Sequence, residues 1–227
     1  ASSYEAAPGV SLASQNLLGT AETTAGYKWN LSEKTGKVYL QFEYRGWYPL
    51  LTARFSTGRR ASEFGEITEH RDLNGTPLSR DTVFRRYTWS ESEGEFDVRV
   101  PLNMTRGSYF RMLQPEILYS YTRYGHHPST PEKFISGNLH SMVYRLYFHQ
   151  LRRTSQREIQ SRWGWVFDAS YRHSPWGNND LGTLKAIQGK MYWPGVASNH
   201  GITTWMGVQE RESGEYRYSD AIALPFG

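Results

Sequence analysis

The sequence has 227 residues, among them 16 Tyr, 10 Phe, 8 Trp and 21 Gly, and no Cys. Without cysteine there is no disulfide framework, thiolate metal site or cysteine nucleophile, and no apolar run reaches the ~18 residues of a spanning helix. The net charge of +4, from 26 basic and 22 acidic residues, is spread in both signs, with no like-charge block to mark a nucleic-acid partner.

Taken in chain order, the residues alternate with period two. Strands are expected near 10–17 and 21–30. The run from Val38 to Arg45 puts Val38, Leu40, Phe42 and Tyr44 on one face and Gln41, Glu43 and Arg45 on the other. A strand follows over 50–58. Glu95, Asp97 and Arg99 alternate with Phe96, Val98 and Val100. Ile117, Tyr119 and Tyr121 then share a face, as do His140, Met142, Tyr144, Leu146 and Phe148. Trp165, Phe167, Ala169 and Tyr171 oppose Val166, Asp168, Ser170 and Arg172; Ile187, Gly189, Met191 and Trp193 oppose Gln188 and Lys190. A last strand is expected near 201–210. No segment has a helical period; 152–161 is polar and reads as a connection. No charged-then-apolar leader opens the chain, and no signal peptide is expected in it.

The connections alternate in length. Gly46-Trp47-Tyr48-Pro49 is tight, whereas 59–86 reads as a long charged loop. The segments 32–37, 59–86, 125–133, 174–183 and 211–217 fall on one side of an up-and-down order. The pattern predicts an all-β, antiparallel up-and-down transmembrane β-barrel with about 10–11 strands visible, occupying 1–227 as one domain. Its candidate lumen-facing polar residues are Glu43, Arg45, Glu95, Asp97, Arg99, Asp168, Arg172 and Lys190. Three features favour this reading over a soluble β-sandwich or lipocalin-like barrel. The second face is heavily charged; strands of ~10 residues suit a tilted crossing; and Trp29, Trp47, Tyr48, Trp89, Trp163, Trp176 and Trp193 lie near strand ends, where amphipathic rings form girdles.

Several short motifs carry a family resemblance. They are the segment from Gly9 to Thr20; Tyr44-Arg45-Gly46-Trp47-Tyr48-Pro49; Val100-Pro101-Leu102-Asn103 with Arg106-Gly107-Ser108-Tyr109; Arg162-Trp163-Gly164; Tyr171-Arg172-His173-Ser174-Pro175-Trp176-Gly177; Met191-Tyr192-Trp193-Pro194-Gly195; and His200-Gly201. In this order they resemble the C-terminal barrel of Gram-negative outer-membrane proteins that carry a Tol-type periplasmic propeller. That barrel in turn resembles the surface-antigen superfamily of outer-membrane assembly and translocation factors. The resemblance implies a sixteen-stranded barrel of which this chain is a fragment lacking closing strands. It implies a place in the cell outer membrane among its lipids, periplasmic envelope proteins as partners, and a segment 221–227 that dips into the lumen, with Asp168 as a possible acidic partner there.

Motifs for other chemistry are sparse. There is no Gly-rich phosphate loop, zinc-protease motif or nucleophile elbow. His126-His127 read as a solvated loop pair, and His70 with Asp72 would need a second acidic pair for an Asp-His protease. His140 and Ser141, adjacent on a strand, point to opposite faces and cannot pair as base and nucleophile. The expectation is therefore a non-enzymatic barrel without cofactor or metal, for which the resemblance implies a role in outer-membrane protein assembly or translocation. The alternatives are a passive channel or scaffold, and an outer-membrane hydrolase with its site at the loop mouth.

Overall fold

The period-two pattern is realised as strands throughout. The computed structural model describes residues 7–71, 77–127, 130, 137–153, 161–177, 179–196, 200–214 and 221, and describes side chains except at 64 and 66–83. Among these residues there are eleven strands and no helix: β1 Gly9–Gln15, β2 Ala21–Asn30, β3 Thr35–Tyr44, β4 Leu50–Arg71, β5 Pro77–Arg99, β6 Leu102–Asn103, β7 Tyr109–Gly125, β8 Gly137–Arg152, β9 Gly164–His173, β10 Thr183–Pro194 and β11 Gly201–Glu212. Every pairing is antiparallel and sequential. The order is β1-β2-β3-β4-β5-β7-β8-β9-β10-β11, with the short β6 beside β7. β1 and β11 do not pair, so the sheet is open.

Two ends of the sheet follow from this meander. The lower end, in our usage, holds the connections after β1, β3, β5, β6, β8 and β10, and the upper end holds the others. At the lower end the Asn16 carboxamide oxygen accepts from the N–H groups of Thr20 (2.8 Å) and Ala21 (3.0 Å). This closes a turn in which Gly19 takes φ +65, a conformation glycine adopts without a Cβ clash. Tyr48, in the next lower turn, donates its hydroxyl to the Pro101 carbonyl and ties the β3–β4 turn to the β5–β6 segment. At Arg106-Gly107-Ser108-Tyr109 the chain reverses into β7 with Gly107 at φ +62.

The stretch expected as a loop over 59–86 is a hairpin instead. β4 and β5 stay in register from Leu50↔Arg99 to His70↔Ser79. Their neighbours stop much earlier, β3 at Lys37↔Gly58 and β7 at Ser90↔Gly125. Beyond those points the two strands continue alone as a ribbon. Polar and charged residues at both odd and even positions disguised it, since they leave no apolar alternation to mark a strand. The sequence does hold a hairpin signal in Asn74-Gly75, although 72–76 lie outside the described residues.

The register is staggered in one direction. One row of directly paired residues runs Gln15–Glu22–Glu43–Thr52–Asp97–Leu118–Val143–Arg172–Leu184–Arg211. It begins at the last residue of β1, at the lower end, and finishes beside the upper end of β11, ten residues above Gly201. Ten residues rise ~33 Å while nine strand-to-strand steps cover ~43 Å, so strands spanning two level rims tilt by ~38°.

No second layer packs on either face: among the described residues each strand contacts only its sheet neighbours. Ala61, Leu184 and Ala186 are the only buried hydrophobic residues described, so there is no ordinary hydrophobic core.

Candidate functional site

Directly paired residues of an antiparallel sheet lie on the same face, so the register sorts every strand position onto one of two faces. The first face carries Val10, Leu12, Ala25, Tyr27, Trp29, Val38, Leu40, Phe42, Phe55, Phe96, Ile117, Tyr144, Leu146, Phe167, Trp165, Ile187, Met191, Trp193, Met206 and Val208. All of these but the half-buried Phe167 stand open: Leu12 and Val208 are each 76% exposed, and Leu40 is 46% exposed. The second face is the sheltered one. Thr52 (2%), Asp97 (5%), Leu184 (0%), Ala186 and Ser141 are all buried on it. Burial is thus inverted relative to a protein with an apolar interior.

All eight predicted polar residues fall on the sheltered face or at its rim. Glu43 pairs with Arg45 (3.0 Å), which lies just past the lower end of β3. Arg54 reaches Glu95 across β4–β5 (3.2 Å). Asp97 contacts Arg99 (2.9 Å), whose Nη2 also donates to the Thr52 hydroxyl (3.1 Å). Asp168 is held bidentately by Arg145, Nε to Oδ1 at 2.9 Å and Nη2 to Oδ2 at 2.6 Å. Gln188 Nε2 donates to the same carboxylate (3.3 Å), and Arg145 also lies 3.8 Å from Glu116.

Asp168 and Arg172 share a face as expected, but four strand residues separate their Cα atoms by ~13 Å. Arg145 stands closer, because its neighbour Tyr147 pairs with Asp168. Alternation alone placed Arg145 on the polar face; its choice of partner depended on the cross-strand register. Arg172 instead lines a cavity of about 220 Å³ with Arg145, Asp168, Gln188 and Ala221. Ala221 N–H donates to Gln209 Oε1 (3.0 Å), which puts this residue over the sheltered face. The remaining residues of 215–227 lie outside the described residues. Lys190 is exposed on the same face.

A second polar cluster, not anticipated, ties the base of the ribbon to the β2–β3 turn. Arg60 pairs with Glu33 (2.8 Å) and Glu91 (3.5 Å), and Ala61 N–H donates to Glu33 Oε2 (3.0 Å). Arg86 donates to the Glu33 carbonyl. Lys37 reaches over β4 to Glu93 (2.6 Å) and Glu91 (3.7 Å), and Ser56 donates to Glu93 (3.0 Å). Burial works to raise the Glu33 pKa, but the Arg60 guanidinium and the Ala61 N–H outweigh it and hold the carboxyl below its ordinary range. Sequence reading missed this cluster because its members come from a turn and three strands, and Arg60 and Arg86 sat inside the expected loop.

The open face has aromatic bands at both ends. At the upper end Trp176 Nε1 donates to His140 Nδ1 (3.0 Å) and Tyr119 approaches the same nitrogen (2.8 Å). The indole can only donate, so Nδ1 accepts and the Tyr119 hydroxyl donates as well. Tyr144, Tyr171 and His173 continue this band as a stack. At the lower end Trp163 and Trp193 meet edge to face at 5.2 Å, and Phe148 packs on Trp165 at 4.6 Å. Trp89 departs from the girdle expectation: it pairs with Arg60 at the ribbon base and takes the sheltered side.

Between these bands the described strand positions of the open face hold no Asp, Glu, Lys or Arg. The charges that bound the region are Arg111 and Arg152 below, and Arg59, Arg123, Lys185 and Glu210 above. Arg111 and Arg123 are twelve residues apart on β7, ~40 Å along the strand and ~31 Å across the sheet at the tilt given above.

The other candidate groups do not assemble. His140 faces the open side and Ser141 is buried on the other. His127 Nδ1 bonds the Thr88 hydroxyl (2.9 Å). The side chain of His70, and Asp72 altogether, lie outside what is described. Among the described residues no group of three or more His, Asp or Glu is placed to hold a metal ion. Comparison with protein-family models, curated proteins and solved structures gives no match to the chain.

Proposed function

We propose that this chain is a non-enzymatic outer-membrane β-barrel domain that serves envelope biogenesis, in outer-membrane protein assembly or translocation. The observation that carries the membrane part is the charge-free, exposed apolar face between two aromatic bands. In water, leaving that many large apolar side chains open forfeits the main driving force of folding. Against hydrocarbon the same surface costs nothing, and the face bearing the ion pairs turns to the lumen. The ~31 Å between bounding charges is close to the ~30 Å hydrocarbon core, and a ~38° tilt lies within the range of barrel strands. The open edges at β1 and β11 need pairing partners, because lipid satisfies no backbone N–H or C=O; closing strands would supply them. Outer-membrane lipid is then the first partner and periplasmic envelope proteins the second, the latter resting on the motif resemblance.

The test is reconstitution. The chain within its full reading frame is expected to insert into lipid vesicles and to need detergent for extraction, whereas a water-soluble monomer in detergent-free buffer would refute the membrane reading. Planar-bilayer recording then separates assembly from conduction. A barrel whose lumen is occupied gives low, irregular conductance, and a steady open channel would move the function to passive transport, the reading that the polar sheltered face also suits.

A further inference from the structure

The open face is not smooth. A groove of about 460 Å³ runs along it over β9, β10 and β11, lined by Trp165, Phe167, Ile187, Met191, Met206 and Val208 and floored by Gly189. Gly189 has no backbone reason to be glycine. Its φ is not positive, and a Cβ there would meet only the Val166 carbonyl at 3.6 Å, an ordinary contact. Its effect is one of shape. It pairs with Phe167 on one side and Met206 on the other, and a side chain in its place would fill the gap between them. On the open face the groove lies within the charge-free region; Lys190 also borders it, but its register position is on the sheltered face. Just above it, Lys185 and Glu210 form an exposed pair (3.2 Å) on the same face, at the level where the face turns polar.

The geometry points to a binding site for one lipid acyl chain, its headgroup at Lys185 and Glu210 and its chain lying over Gly189. This inference rests on the membrane reading. A hydrocarbon chain is the occupant because the groove opens on the face rather than at the edge. A strand added to β11 extends the sheet sideways and leaves the groove uncovered, open to whatever bathes the apolar face. A slot lined by apolar side chains with a charged pair at one end matches the two ends of a lipid, and its volume is that of a small-ligand site.

The experiment compares wild type with Gly189→Leu and with Val208→Phe, which fill the groove from two strands, and with Gly94→Leu as a control. Gly94 lies on the same face with no atom near its missing Cβ, and lies outside this groove. Each protein is first tested for insertion into phosphatidylethanolamine–phosphatidylglycerol vesicles. It is then delipidated in detergent and titrated under native mass spectrometry with phosphatidylethanolamine, whose phosphate and ammonium match Lys185 and Glu210. One tight lipid is expected on wild type and on Gly94→Leu. Both groove variants should weaken it by about tenfold or more, since each displaced methylene is worth about fourfold in affinity. Unchanged binding in an inserted groove variant, or equal loss in Gly94→Leu, would overturn the site; if Gly189→Leu does not insert, Val208→Phe decides. Failure of wild type itself to insert would instead count against the membrane reading.

Discussion

Leu40 and Gln41 are consecutive on β3, yet they meet opposite surroundings. Leu40 stands in the middle of the open face and pairs with Ala25 and Phe55, while Gln41 pairs with Thr24 and Arg54 on the sheltered face. In a bilayer, Leu40→Arg should therefore cost about 2–4 kcal/mol and Gln41→Arg far less. Folding titrations into vesicles check this, and equal costs at the two sites would reverse the assignment of the faces. Asp168 and Arg145 give a second residue-level expectation. The carboxylate is the more sheltered partner, at 14% side-chain exposure against 41% for the guanidinium. The bidentate pair thus lies between a surface and a buried one, and Asp168→Asn should cost on the order of 1–2 kcal/mol. A double-mutant cycle with Arg145→Gln measures the coupling, and strict additivity would show that the pair contributes nothing.

The β4–β5 hairpin is the element whose behaviour departs most from the rest of the sheet. Above Gly58 and Ser90 it has no neighbouring strands, so shortening it should leave the lower sheet folded. A deletion of 65–84, which leaves the partners Phe64 and Arg85 to be closed by a two-residue turn, is expected to insert into vesicles like the parent chain, and loss of insertion would show that the ribbon supports the sheet. Its base is tied by Glu33, Arg60 and Glu91, and this tie depends on pH in a defined sense. The Glu33 carboxyl titrates below its unfolded value. Its contribution is therefore present at neutral pH and is lost as the pH falls through that lowered value. Hydrogen exchange at Ala61 N–H, which donates to Glu33, should accelerate on acidification beyond the intrinsic pH dependence of exchange. In Glu33→Ala, which removes the acceptor, it should be fast already at neutral pH. Identical protection in the two proteins would remove Glu33 from the tie.

For the whole molecule the ten-strand row from Gln15 to Arg211 makes a quantitative demand. A sheet that climbs from one rim to the other over nine steps has strands tilted by ~38°. Polarised infrared spectroscopy of the reconstituted barrel on oriented bilayers should return an average strand tilt of 35–45°. Strands lying flat in the membrane plane would mean that the sheet adsorbs by its apolar face and does not cross.

The sequence by itself determined the strands and the two faces. Alternation is written into each strand, because successive side chains point to opposite sides whatever the neighbours do, so Val38, Leu40, Phe42 and Tyr44 were separable from Gln41 and Glu43 without a fold. Near-identical boundaries for β2 follow from the same pattern. Alternation stops carrying information where both sets of alternate positions are mostly polar, which is why the ribbon above Gly58 read as a loop despite its Asn74-Gly75 signal. The tertiary structure alone decided which charges meet and how the sheet leans. Asp168 shares a face with Arg172 in any strand, but its pairing with Arg145 depends on the offset between β8 and β9. The one-directional stagger exists only as the sum of nine such offsets. Likewise the groove over Gly189 needs Phe167, Ile187 and Met206 brought beside one glycine from three strands, and local sequence does not specify register between segments.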